Sequence, residues 1–227
     1  MMPNAPKRAA VLSPGQIRHL LRVTEATSRH PARDAVILLL GLSVGMRITE
    51  VAQITVADVM FRSGALRTEV SLRAAITKGC RQRAVYFSAR KLVDAIERYL
   101  EYRVAHELGT TLDRSRFRGL NPDIPLILSR KGYPYALNRK IRISTDGEPM
   151  DYWAADSLQA YVTSLYKAAG LSASSHSGRR TFATRLLSRG ATIEQVQLLL
   201  GHESIDDTRR YIDVDSAVLS RIFEAAI

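Results

Sequence analysis

The chain has 227 residues, 46% of them hydrophobic, enough for one substantial core or a compact two-lobed body. Its 33 lysines and arginines against 22 acidic residues give a net charge of +11, an excess that favours a polyanionic partner through release of phosphate counterions. A single cysteine, Cys80, excludes an internal disulfide framework and a cysteine-rich zinc site, and the apolar run over residues 35–40 is far too short to span a bilayer.

Helix signals dominate the chain order. Ser13, Pro14 and Gln16 form a capping box with proline at the first helical position, followed by Ile17, Leu20 and Leu21 at helical spacing. A mostly apolar helix is expected from about residue 32 to Val44, stopped by Gly45, with Arg47 just beyond it and a short helix over residues 49–54. Residues 66–72, 75–77 and 84–87 read as strands around a basic turn, which places Lys78 at a hairpin tip from which a long side chain can reach outward. Ser88 is then the expected cap of a long helix carrying Leu92, Val93, Ile96, Leu100 and Val104, closed near Gly109.

Residues 110–151 are rich in proline, glycine and arginine and read as an inserted loop or hairpin whose basic run, Arg139, Lys140 and Arg142, suits phosphate contact. Trp153 and the tyrosines near it are read as core or hinge packing rather than base stacking. An amphipathic helix follows over residues 156–169, with Leu158, Tyr161, Val162 and Leu165 inward and Gly170 as its stop. Another is expected over residues 177–188 with Arg179 in its first turn, and Thr192 with Gln195 opens a third that Gly201 ends. Ser204 and Asp207 would cap a short helix carrying Tyr211. The tail over residues 213–227 has an apolar stripe, Val218, Ile222 and Ala226 with Leu219, Phe223 and Ile227, wider than so short a helix shows in water.

Six residues along this frame, Arg47, Lys78, His176, Arg179, His202 and Tyr211, are the parts needed to attack a phosphodiester without a metal. The reaction passes through a crowded phosphorane with negative charge on two non-bridging oxygens. Arg47 and Arg179, planar and always protonated, suit that charge and can do the work that Mg²⁺ does elsewhere. Lys78 can protonate the departing 5′ oxygen, and His202 can donate to the phosphate. Tyr211, with an ordinary pKa near ~10, needs nearby positive charge or a base, for which His176 is the candidate. Tyr161 and Tyr166 are the competing hydroxyls. No cofactor and no metal ligand set is expected.

These residues, in this order, resemble the catalytic domain of the tyrosine recombinases, the phage-integrase family, from about Ser13 to Tyr211. The H-x-x-R box at His176, the Leu-Gly-His turn ending at His202 and the tyrosine nine residues later carry the likeness best. The resemblance implies a mainly α fold with a small antiparallel sheet and site-specific DNA cleavage and rejoining through a 3′-phosphotyrosyl intermediate. It makes Arg47 and Arg179 phosphate clamps, Lys78 the general acid, His176 the base or acid partner, His202 a phosphate ligand, Tyr211 the nucleophile and Glu50 a buttress. Arg81, Arg83 and Arg180 join the basic run as expected DNA contacts. Gly178 departs from the family pattern, which is usually apolar there, and is expected to loosen the helix start. Residues 1–12 read as an extension, 13–212 as the catalytic domain, and 213–227 as a tail that either folds back onto its own domain or is exchanged between protomers. Partners would be duplex DNA with recombination sites, further copies of the chain and accessory DNA-bending proteins, in the cytoplasm. Competing readings are a type IB topoisomerase-like activity and a DNA-binding accessory or architectural protein without catalysis.

Overall fold

The computed structural model describes residues 9–77, 82–143 and 147–202, with the backbone alone at Arg142 and Met150. The first helix, α1 (Pro14–Thr27), opens on the expected capping box: Ser13 Oγ accepts from the Gln16 N–H at 3.2 Å and Gln16 Oε1 from the Ser13 N–H at 2.9 Å. The second, α2 (Pro31–Val44), is apolar on every side, and a helix of that kind can only sit at the centre. It packs against α1, α5 (Arg90–Ala105) and α7 (Ser175–Leu187), and most of its side chains are buried. Gly45 ends it at φ 70°, where a Cβ would lie 2.5 Å from Phe182 Cδ1, so no other residue fits that turn. Two short helices, α3 (Ile48–Gln53) and α4 (Val56–Val59), follow.

Strands β1 (Glu69–Leu72) and β2 (Arg83–Tyr86) pair antiparallel, with Leu72 opposite Arg83. The expected strand over residues 75–77 is instead part of a 3-10 turn, Ala74–Ile76. The reason is local: Arg73 is held by Asp58 at 3.0 Å, and the turn that follows tucks Ile76 into the core. Ser88 does not cap α5. Ala89 is the N-cap, its carbonyl accepting from the Leu92 and Val93 N–H groups, with no side chain capping. Beyond α5 the chain loops over the surface and returns to the core wall over residues 119–128. Arg103, fully buried, stitches that wall by donating to the carbonyls of Leu108, Pro125 and Leu126 at 3.0 to 3.1 Å. Leu120, Leu126 and Ile127 complete the packing from the same stretch.

Strands β3 (Asn138–Ile143) and β4 (Pro149–Ala154) form a second two-stranded sheet, with Arg139 opposite Trp153 and Lys140 opposite Tyr152. The reading of Trp153 as a packing residue is corrected here. Trp153 is 57% exposed and Ile141 and Ile143 are each 68% exposed, because these two strands pair only with each other.

The last described elements are α6 (Asp156–Ala168), α7 and α8 (Ile193–Leu200). Thr192 and Gln195 form the capping box of α8, and Gly201 ends it at φ 60°. Gly178 does not loosen α7. A Cβ there would stand 3.2 Å and 3.3 Å from the carbonyl carbon and Cα of Gly41 and 3.4 Å from the Tyr166 hydroxyl, so the glycine lets α7 lie against α2 backbone to backbone. Neither neighbour gives easily, one being main chain of the central helix and the other a buried ring. Gly178→Ala should therefore lower stability by about 1–2 kcal/mol, overpacking outweighing the gain in helix propensity. Gly41→Ala, whose Cβ finds Gly178 Cα at an ordinary 3.8 Å, should be neutral or gain up to about 1 kcal/mol. Urea denaturation of the two variants checks this; equal effects would mean the crossing tolerates a methyl from either side.

Candidate phosphodiester site

The site is assembled where three helices end. Arg47 lies between α2 and α3 as the N-cap of α3, and Glu50 is the third residue of that helix. Glu50 Oε2 accepts the Arg47 backbone N–H at 2.7 Å, the glutamate half of a capping box, so one acid holds both the main chain and the side chain of Arg47. Its Oε1 takes Arg47 Nη1 at 2.9 Å, and Oε2 also takes Arg83 Nη2 at 2.6 Å. The carboxylate is fully buried. Burial opposes its ionisation, but the guanidiniums of Arg83, Arg179 and Arg47 and the backbone bond outweigh that and hold its pKa below the usual range.

Arg179, on α7 and only 2% exposed, spans two helix ends, donating from Nη1 to the Gly45 carbonyl and from Nη2 to the Leu200 carbonyl. Arg83 Nη1 donates to the Leu199 carbonyl at 2.6 Å and Arg47 Nη2 to the Gly201 carbonyl at 3.0 Å. Three arginines from three elements thus take three consecutive carbonyls, Leu199, Leu200 and Gly201, at the C-terminus of α8. Those carbonyls lack intrahelical partners and carry the negative end of the helix dipole, which is why cations settle there. His202 follows directly, its N–H bonded to the Gln197 carbonyl at 3.1 Å, and is partly exposed. Arg47, with its side chain 19% exposed, spends two of its N–H donors on Glu50 and Gly201 among the described residues and keeps the others for an incoming acceptor.

His176 lies in the first turn of α7, exposed at its rim. Crowding by its surroundings and the Arg179 guanidinium both lower its pKa below the ordinary histidine value, so at neutral pH the ring is uncharged and able to accept a proton. Tyr161 and Tyr166 are poorly suited to attack. Burial, and then a 2.6 Å bond from its hydroxyl to Asp34, push Tyr161 up to about 12, and burial alone pushes Tyr166 up further. Lys78, Arg81 and Tyr211 lie outside the described residues, as does the tail.

Two of the expected DNA contacts lie inside the structure and not on its surface. Arg83 is 8% exposed and belongs to the interior of the site. The signal was available: strand alternation puts Arg83 on the same inward face as Val85. Arg180 is 5% exposed and donates to the Ala9 carbonyl, tying residues 9–12 along α7 together with the 2.9 Å bond from the Leu12 N–H to Thr181 Oγ1. Arg139 and Lys140 do face solvent, paired with Asp151 and Asp156. Among the described residues, no three or more of His, Cys, Asp and Glu gather as a metal-binding group, and no helix is long and apolar enough to cross a membrane.

The model of the phage integrase family matches residues 10–217. The chain belongs to that family. Its relatives there include the tyrosine recombinase XerA of Pyrococcus horikoshii, 28% identical over 86% of this chain and 55% of the relative. The tyrosine recombinase XerC of Methylobacterium nodulans is 33% identical over 86% of this chain and 49% of the relative. The chain thus spans about half the length of these curated relatives. Among solved structures, that of XerA recombinase superposes with a TM-score of 0.67 at 22% identity, over 97% of this chain and 66% of the other. A Tn1549 transposon integrase with transposon right end DNA gives 0.61 at 20%, over 99% and 68%. The integrase-family fold, mainly helical with two small antiparallel sheets, is therefore shared.

Proposed function

We propose that this chain is a site-specific DNA recombinase that cleaves and rejoins strands through a 3′-phosphotyrosyl intermediate. The observation that carries the reading is the Arg47–Glu50–Arg179 cluster locked to the α8 terminus beside His202, because it concentrates oriented positive charge where a scissile phosphate could sit. In the reaction the Tyr211 phenol oxygen bonds to phosphorus while its proton passes to His176. The bond from phosphorus to the 5′ oxygen breaks, and that oxygen takes a proton from Lys78. The phosphodiester energy is kept in the tyrosyl ester, so a second 5′ hydroxyl can reverse the step without a cofactor. The DNA-bound structures of XerH, the Tn1549 integrase and lambda integrase that share this fold support duplex DNA as the partner. Copies of this chain would assemble on paired sites, with accessory DNA-bending proteins as further partners, in the cytoplasm.

The deciding experiment incubates the protein with fragmented genomic DNA, denatures the mixture and sequences the fragments that stay bound. Recurrent fragments joined to Tyr211 through a 3′ phosphate support the proposal and reveal the target. Relaxation of supercoiled DNA without a preferred sequence would instead indicate a topoisomerase. Tight binding with no covalent product would indicate an architectural protein.

The β3–β4 sheet gives a separate expectation. Arg139, Lys140 and Arg142 changed together to alanine should flatten the slope of log K against log salt, by at most about 2.7 if each cation meets one phosphate. A value below that limit is expected, since Arg139 and Lys140 already hold carboxylates that DNA must displace. An unchanged slope would make the run a solvated face.

A further inference from the structure

We infer that Arg83 is a positioning residue for strand cleavage, holding the β1–β2 hairpin, the Glu50 carboxylate and the α8 terminus in a single register. The inference rests on the recombinase reading above. One side chain makes all the connections. Arg83 Nη2 is 2.6 Å from Glu50 Oε2 on α3, and Nη1 is 2.6 Å from the Leu199 carbonyl on α8. Its aliphatic stem lies against Gly201, where a Cβ would come within 2.7 Å of Arg83 Cδ, so the glycine that turns the chain toward His202 is shaped around this arginine. Arg83 also begins β2 opposite Leu72, and the connection between them carries Lys78.

The division of Glu50's oxygens shows how the effect would travel. Oε1 holds the Arg47 guanidinium, while Oε2 is shared between Arg83 and the Arg47 backbone N–H. Without Arg83, Oε2 keeps one bond of the two, and the carboxylate is free to turn about the axis it shares with Arg47. Leu199 loses its donor at the same time, so the clamp and the His202 turn would relax together. Lysine cannot reproduce this, since one ammonium is a point charge where a planar fork reaches two acceptors on different elements.

Arg83→Met and Arg83→Lys would be compared with the wild type, full length, well below the melting temperature of the weakest. On a nicked suicide duplex built from the captured site, Arg83→Met should bind within about threefold of wild type and cleave about 100-fold more slowly, the loss typical of a displaced reacting group. Arg83→Lys should fall between. The acid limb of the cleavage rate should move to higher pH in Arg83→Met, because Glu50 loses the first of the charges that hold its pKa down. A brace that only maintains the fold would move neither rate per folded molecule nor acid limb. A second arm needs no cleavage: in ¹⁵N spectra of the DNA-free protein the Arg47 Nε–H signal should be sharp in wild type and exchange-broadened in Arg83→Met. Wild-type cleavage rates in Arg83→Met, or an unchanged Arg47 signal, would overturn the inference. Absence of any covalent complex with the wild type would sink the recombinase reading instead, leaving the spectra to decide what Arg83 does to Arg47.

Discussion

Tyr211→Phe is expected to bind its DNA as wild type does and to form no covalent complex, a loss of about 10⁴-fold or more in cleavage. The substitution removes one hydroxyl from an interface dominated by charge, so affinity has little reason to change. The two competing hydroxyls, Tyr161 and Tyr166, are poorly suited to replace it. Tyr161 and Tyr166 are held far from ionisation by burial, Tyr161 additionally by its bond to Asp34. Denaturing electrophoresis of the variant with end-labelled duplex checks this. A persistent adduct would place the nucleophile elsewhere in the chain.

The second large effect concerns Glu50. Its replacement by glutamine keeps the shape but removes, among the described residues, the negative charge that the arginines lining the α8 terminus share. Arg83 would be left buried and uncompensated, and an amide N–H would face a guanidinium N–H. Breaking a buried pair in this way typically costs about 3–5 kcal/mol, a large part of the ~5–15 kcal/mol that holds a domain together. The pH dependence has a definite sign. The folded-state pKa of Glu50 lies below the unfolded value, so its contribution is complete above the ordinary carboxylate pKa and is lost as pH falls through the folded value. Wild type should therefore lose stability in that acid window, while Glu50→Gln, already without the contribution, should lack that step. Urea unfolding at pH 7 and pH 4 tests both parts. A Glu50→Gln protein within about 1 kcal/mol of wild type at neutral pH would mean the cluster is held by its backbone bonds alone.

What could be read from the sequence was local. The capping boxes at Ser13 and Thr192 and the stops at Gly45, Gly170 and Gly201 depend on neighbours a few residues away, and the structure has each of them. The proximity of Arg47, Arg179 and His202 was legible through the family resemblance, which carries a spatial arrangement in the order of its motifs. Contacts between distant segments were not legible. Arg83 meets a carboxylate 33 residues away and a carbonyl 116 away, and Arg180 meets a carbonyl 171 away, so both looked like loose cations in a basic chain. The same holds for Gly178, whose role depends on a glycine in α2. Ser88 and the segment around Ala75 failed for another reason: propensity offered two neighbouring choices, and the Arg73–Asp58 ion pair selected the turn over the strand, while α5 opens one residue beyond a Ser88 cap, at Ala89.

The arrangement at the end of α8 has one more consequence. Among the described residues, Arg47, Arg83 and Arg179 bring three positive charges and Glu50 removes one, leaving a surplus of two. A phosphodiester in the ground state brings one negative charge and leaves that surplus half cancelled. The phosphorane, with charge on both non-bridging oxygens, cancels it in full. In the proposed reaction, a pocket with this surplus would be better matched to the species at the top of the barrier than to the ground-state phosphodiester, and that difference, not tight binding, is what lowers a barrier. In that reaction Glu50 would act as a counterweight as well as a brace: without it the pocket would be over-charged even for the phosphorane, and would grip its substrate harder while turning it over no faster.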